Sequence, residues 1–102
     1  MAYRLTWQAQ AAEDLDEIYE YIALENPKQA AKVARQLYYA ARAVCDNPWL
    51  GRQIPELEQE NVRERIVGRY RIAYLVKPQE VVILTVWHSA RRISELLQRL
   101  KG

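Results

Sequence analysis

Residues 62–76 read VRERIVGRYRIAYLV. Arginines alternate with apolar side chains on both sides of Gly68–Arg69. Alternation of this kind is the period of a half-buried strand. Two such runs separated by a two-residue Gly-X signal predict a tight β-hairpin, with strands over 62–67 and 70–76. The choice of polar residue is unusual. Arg63, Arg65, Arg69 and Arg71 keep their charge in almost any environment and present a planar fork of donors suited to phosphate or carboxylate. A solvated sheet face is the bland explanation for each arginine. An anion-binding or active-site face is the sharper one, and the surrounding sequence has to separate them.

On the C-terminal side, the four residues KPQE lead into a third strand over 81–87. Residues 89–100 then predict a closing helix, with Ile93, Leu96, Leu97 and Leu100 on one side. On the N-terminal side, 46–60 (DNPWLGRQIPELEQE) holds two prolines and a glycine and reads as a loop. Before it, Ala30, Ala34, Leu37, Ala41 and Val44 keep a helical period. That helix starts at Asn26–Pro27, where Asn suits the N-cap and Pro the first helical position. From Gln8 to Leu24, Ala11, Leu15, Ile18 and Ile22 mark another amphipathic helix. The two helices predict an antiparallel αα-hairpin. Residues 2–6 (AYRLT) alternate as a short strand that joins the edge of the meander. The order β-α-α-β-β-β-α is that of an α+β fold. The expected architecture is a helical hairpin on one side of a twisted, mainly antiparallel sheet of about four strands.

Composition bounds the function. A chain of 102 residues, half of them apolar, suits one domain over 1–102 with a real core. No apolar run is long enough to span a bilayer, and MAYRLTWQAQ lacks the apolar block of a signal peptide. The expectation is a cytoplasmic protein with no membrane partner. The one cysteine, Cys45, sits on a helical apolar face and excludes an internal disulfide or a multi-cysteine metal site. No metal or cofactor is expected. The formal charge of +2 is uneven: residues 1–30 sum to −4, 31–60 to zero and 61–102 to +6. A basic back half points to an anionic partner, either nucleic acid or an acidic protein surface.

With these elements in place, the chain resembles the RelE/ParE superfamily of toxins from type II toxin–antitoxin modules. The resemblance rests on AAEDLDEIYEYIALENPKQA over the helical hairpin, NPWLGRQIPE over the loop, VRERIVGRYRIAYLV over two strands, and VVILTVWHSARR at the end of the sheet. It implies neutralisation by a cognate antitoxin that wraps the toxin, as part of a homodimer or a heterotetramer with the antitoxin. The resemblance implies one of two targets. The RNA-cleaving branch holds mRNA in the ribosomal A site on a basic sheet face. The ParE branch binds and poisons DNA gyrase.

RNA cleavage by 2′-OH attack needs a base, an acid and cations that stabilise the phosphorane. By resemblance, Arg65, Arg71 and Arg91 match cationic positions of the nuclease branch. The ordinary pKa of histidine, about 6.5, makes His88 the candidate proton shuttle, with Glu56 or Glu58 as candidate carboxylates; the alternative for His88 is a strand-end histidine hydrogen-bonded to backbone. Against this, the catalytic tyrosine of one nuclease subgroup falls near Leu97, which fits the apolar stripe, and its lysine pair is absent from NVRERI (61–66). The alanine-rich hairpin with YIALENP looks more like the ParE branch. Gyrase inhibition is therefore the favoured expectation, mRNA endoribonuclease the alternative, and a non-toxic binding module on the same scaffold the second alternative. Whether the protein is an enzyme depends on the branch.

Partner-binding residues are expected at Arg63, Arg65, Arg69 and Arg71, at Trp49 in the loop, and at Leu96 and Leu100 on the closing helix. Trp87 is expected to be partly buried. One of Tyr38 and Tyr39 should face the core, and the acidic residues of 13–20 should form a solvated helix face.

Overall fold

A computed structural model describes residues 3–101. Strand β1 (Arg4–Trp7) leads into helices α1 (Ala9–Ala23) and α2 (Pro27–Val44). Ala2, expected at the start of the first strand, lies outside the described residues. A 3₁₀ turn (Pro48–Leu50) and a two-residue strand β2 (Arg52–Gln53) follow. The meander is β3 (Val62–Val67), β4 (Tyr70–Lys77) and β5 (Glu80–His88), and α3 (Ile93–Lys101) closes the described chain. The predicted β-α-α-β-β-β-α order is the observed one, with β2 added ahead of the meander.

Local signals explain the boundaries. Asn26 caps α2 by accepting the Gln29 N–H (3.1 Å), with Pro27 at the first helical position. The β3–β4 hairpin turns on Gly68, whose φ of 58° is open to glycine at little steric cost. The sheet order is β1-β5-β4-β3-β2. β1 pairs parallel with β5, and every other pairing is antiparallel. The sheet therefore has five strands rather than about four. Two residues are too few for an alternation to register, so β2 was hidden inside a loop-like composition. α3 also starts at Ile93 rather than at 89, because Ser89–Arg92 form a turn in which Ser89 N–H reaches the Arg69 carbonyl (2.8 Å).

Both faces of the sheet are covered. On one, Ile72, Tyr74, Val76, Val81 and Ile83 pack against Ala11, Leu37, Ala41 and Val44 of the helical hairpin. On the other, Val62 and Ala73 pack with Ile54 and Leu57 of the β2–β3 connection and with Leu97 and Leu100 of α3. β4 is apolar on both sides for this reason. The chain passes from one face to the other around the β3 edge. Tyr74 holds it there by donating its hydroxyl to the Pro48 carbonyl (2.7 Å). Gly51 packs so closely that a Cβ would overlap the Tyr74 hydroxyl.

The opposite edge carries a second lock. β1 ends at Trp7, so β5 beyond Ile83 has no strand on the side away from β4. Asp14 of α1 covers that edge. One carboxylate oxygen accepts the Val86 N–H (3.0 Å) and the Thr85 hydroxyl (2.5 Å). The other accepts from Gln10 (2.9 Å) and from Arg99 of α3 (2.5 Å). Asp14 is only 4% exposed, the exception in an acidic face that Glu13, Asp16, Glu17 and Glu20 expose to solvent as expected. Its burial is compatible with charge because every oxygen is hydrogen-bonded and a guanidinium is in contact.

Candidate functional site

The two-residue turn decides where the arginines go. Val67 pairs with Tyr70, so odd-numbered residues of β3 share a face with even-numbered residues of β4. Arg63 lies opposite Tyr74 and Arg65 opposite Ile72, on the helical-hairpin side. Arg71 lies opposite Ile66 and, across β5, opposite Trp87, on the α3 side. The alternating arginines of 62–76 are thus divided between two faces, and Arg69 stands in the turn itself.

Arg63 and Arg71 are engaged within the fold. Arg63 donates to the carbonyls of Glu60 (2.9 Å) and Gly51 (3.0 Å), and its guanidinium lies 5.0 Å from the Trp49 ring centre. It fastens the loop to the sheet. Arg71 faces Glu64, a carboxylate 1% exposed on β3, at 3.5 Å. Arg52 of β2 approaches the other oxygen of Glu64 at 2.5 Å. One buried carboxylate thus sits between two guanidinium groups. Arg71 Nε and Glu64 Oε1 are both buried without a hydrogen-bond partner in the described structure.

His88 lies elsewhere, in a groove of about 950 Å³ between the helical hairpin and the β3–β4 turn. Ile18, Ile22 and Val33 give this groove an apolar wall, and Arg69, Tyr70 and Arg91 line the side nearest His88. Glu17 contributes the acidic margin. His88 Nδ1 accepts the Ala90 N–H (3.0 Å), so the proton of the neutral ring sits on Nε2. Its ring meets Tyr70 edge-on, with centres 5.2 Å apart. Burial pushes the Tyr70 hydroxyl above its ordinary pKa, opposed by the charge of Arg69.

Arg91 also stacks 4.3 Å from the Trp87 ring centre and forms a surface pair with Glu95 at 3.5 Å. Trp87 is 2% exposed, more deeply buried than expected, and Arg99 stacks on it at 4.7 Å.

Of the nuclease-type set, His88 and Arg91 therefore line one groove. Arg65 is exposed on the same face of the sheet but is not part of the groove lining, and Arg71 is across the sheet. Glu56 and Glu58 are exposed on the connection that covers the α3 side. The groove can receive an apolar segment and offer it cationic contacts. Of the three arginines of the nuclease reading, it brings only Arg91 to the histidine, and the other cation of its lining is Arg69 of the turn.

Among the expected partner residues, Trp49 is 48% exposed and Arg65 and Arg69 are accessible. Leu100 is partly buried against the α3-side core. Leu96 is fully buried, so it can meet a partner only if α3 leaves its place. Tyr38 and Tyr39 are both exposed, contrary to the expectation of one core-facing ring. Tyr38 instead stacks on Trp7, with ring centres 6.3 Å apart.

The sequence reading missed the buried carboxylates Asp14 and Glu64 and the row of cations on α2. For Asp14 the partners that bury it, Thr85, Val86 and Arg99, lie more than 70 positions away, and its local partner Gln10 is an ordinary i, i+4 helix pair. The α2 cations were visible in principle. Their charge was cancelled in the count by the acidic residues of the loop that follows.

Residues 5–93 match the family model described as the ParE toxin of type II toxin–antitoxin systems, parDE. The chain is 31% identical over 96 residues to "Putative toxin Y4kP" of Sinorhizobium fredii, covering 92% of this chain and 96% of that protein. Its structure resembles that of a chromosomal ParDE toxin–antitoxin system from P. aeruginosa, with a TM-score of 0.71 and 27% identity over 85% of this chain and 96% of the other. It also shares its fold with a free mutant form of the E. coli toxin RelE, with a TM-score of 0.70 and 17% identity over 97% of this chain and 94% of the other.

Proposed function

This chain belongs to the ParE toxin family of type II toxin–antitoxin systems, and from that membership we propose that it arrests growth by binding DNA gyrase rather than by cutting mRNA. The observation that carries the choice is the separation of Arg71 from Arg65 and His88. Arg71 lies on the other face, beside the buried carboxylate of Glu64 that it shares with Arg52. Transphosphorylation needs its base, acid and cations around one phosphate. A toxin that acts by occupying a surface of its target needs no such convergence.

The antitoxin reading follows from the groove. Its apolar wall (Ile18, Ile22, Val33) and its cationic margin (Arg69, Arg91) suit a segment that is apolar on one side and acidic on the other. Such a segment orders as it binds, and burial of its apolar residues offsets the entropy lost. Trp49 and Arg65 are accessible enough to extend this contact. Cytoplasmic action follows from either target. No helix among the described residues is long and apolar enough to cross a membrane.

The test pairs two assays on the same preparation: gyrase supercoiling of plasmid DNA, and ribosome-dependent cleavage of mRNA. The expected result is blocked supercoiling or trapped cleaved DNA, with mRNA left intact. His88→Ala should then change toxicity only modestly. Ribosome-dependent cleavage that vanishes in a folded Arg71→Ala protein, with gyrase unaffected, would overturn the reading. Expression that leaves growth unaltered in the absence of any antitoxin would instead point to the inert binding module.

A further inference from the structure

Helix α2 carries Lys28, Lys32, Arg35 and Arg42 and no acidic residue. Together with Tyr39, these residues fall four, three, four and three apart. On an α-helix that spacing puts all five on one stripe. The stripe runs about 21 Å along the helix at 1.5 Å per residue. All five side chains are exposed, and none of the four cations forms an ion pair among the described residues. Its middle faces the β3 edge across a shallow depression lined by Lys32, Arg35, Gln36, Tyr39, Val67 and Gly68. Arg65, two residues before Val67 and on the same face of the sheet, is exposed beside it.

We propose that this ridge, from Lys32 and Arg35 to Arg42 with Arg65 beside it, binds the phosphate backbone of duplex DNA without regard to sequence. Three features select this occupant. A straight track of cations, with steps of about 6, 4.5 and 10.5 Å from Lys28 through Lys32 and Arg35 to Arg42, complements a linear polyanion rather than a point charge. The ridge offers little apolar surface beyond Tyr39 and Val67, whereas an acidic peptide that must fold on binding needs apolar burial to offset its ordering. One tyrosine is also not the row of aromatic platforms on which unstacked bases of a single strand are held. The duplex keeps its bases inside and presents about one charge per 1.7 Å of axis.

This proposal stands apart from the gyrase reading, because it concerns the toxin and DNA alone. A toxin inert towards gyrase can still bind DNA, and a gyrase inhibitor can fail to.

The experiment measures fluorescence anisotropy of a labelled 20-base-pair duplex titrated with the full chain, over a salt series from about 50 to 200 mM. Four phosphate contacts predict a log–log salt slope of about −3.6. The K32E/R35E double variant should bind at least ~10-fold more weakly at the lowest salt, and its slope should be shallower by about 1.8. Lys77→Glu, with half that change in charge at the other end of β4, should weaken binding by much less than half as much on the logarithmic scale.

Single-stranded DNA, single-stranded RNA and polyglutamate serve as competing probes, each expected to bind more weakly than the duplex. Circular dichroism melting checks every variant, and K32Q/R35Q replaces the reversal pair if that pair unfolds. The proposal is overturned if duplex affinity is unchanged in the double variant, or if Lys77→Glu weakens it equally. It is likewise overturned if a single strand binds more tightly than the duplex. Polyglutamate binding that is lost in the double variant while duplex binding persists would assign the ridge to an acidic protein instead.

Discussion

The two helices of the hairpin carry opposite charge and put it to opposite uses. α1 holds five carboxylates and no cation, whereas α2 holds four cations and no carboxylate. No ion pair joins them among the described residues. Little of either pattern serves its own helix dipole: the first turn of each lacks an acidic residue, and only Arg42, in the last turn of α2, is favourably placed. α1 turns one of its charges inward, where Asp14 joins α1, the open edge of β5 and α3. α2 turns all of its charges outward. A charge with partners on three elements is part of the fold, and a row of charges with none is available to something outside it.

The sharpest way to break that contrast is Asp14→Ala. It leaves the Val86 N–H and the Thr85 hydroxyl without their acceptor and the Arg99 guanidinium without its counter-ion. Removing one member of a buried, hydrogen-bonded charge pair costs about 3–5 kcal/mol. Arg99 is a quarter exposed, so the lower end of that range applies. Urea denaturation should show a loss of about 3 kcal/mol, with α3 amides exchanging faster. Asp14→Asn, which keeps an acceptor, should lose less. A loss below about 1 kcal/mol for Asp14→Ala would show that the edge of β5 needs no lock.

Glu64 is the counterpart of Asp14 on the other side of the sheet. Glu64→Gln keeps the shape but removes the charge between Arg52 and Arg71. Arg52 is half exposed and can turn to water, so its contribution is discounted. The expected loss is about 2 kcal/mol, on the scale of a charged hydrogen bond inside a fold. If Glu64→Gln is instead neutral and creates mRNA cleavage, Arg71 is a restrained catalytic cation and the contrast between engaged and free arginines fails.

These two carboxylates also mark what the sequence could convey. The local signals were sufficient for most of the elements: Asn26–Pro27 set the start of α2, Gly68 set the hairpin, alternation set β3 and β4, and the KPQE turn set the start of β5, whereas β2 and the first residues of α3 escaped them. Pairing across distance was not legible. Arg65 and Arg71 look equivalent along the chain, and only the two-residue turn, which exchanges odd and even faces, separates them. Asp14 reads as one acid among several because its partners lie in β5 and α3. The stripe of α2 was legible by spacing, yet a window from 31 to 60 added the acids of the following loop and returned zero.

The tyrosines repeat the contrast on a smaller scale. Tyr74 is buried and donates to Pro48, whereas Tyr39 is exposed. Burial raises the pKa of Tyr74, against the opposing effects of the Gly51 hydrogen bond and of Arg63 and Arg65. A hydroxyl whose folded pKa exceeds its unfolded value of about 10 contributes stability that is complete below that pH. The contribution is lost as pH rises towards the folded value. Stability should therefore fall between pH 10 and 11 more steeply in the parent protein than in Tyr74→Phe. At pH 8, Tyr74→Phe should cost about 1 kcal/mol for the lost hydrogen bond, and Tyr39→Phe should cost nothing measurable. Equal alkaline slopes in parent and Tyr74→Phe would remove Tyr74 from the account.

The smallest effect tests the outward charges of α2 most directly. Lys28 occupies the second position of the helix, where a cation opposes the dipole, and it lies one turn from Lys32. Arg42 lies in the last turn, where a cation is favourable. If the stripe makes no contribution to the fold, the dipole and the like-charge neighbour alone set the sign. Lys28→Glu should then raise stability by about 0.5 kcal/mol, and Arg42→Glu should lower it by a similar amount. Both shifts should shrink in 0.5 M salt, because exposed charges are screened over a few ångströms there. A loss on Lys28→Glu that resists salt would mean that the cation has a partner within the fold. The contrast between the two helices would then be one of degree, not of kind.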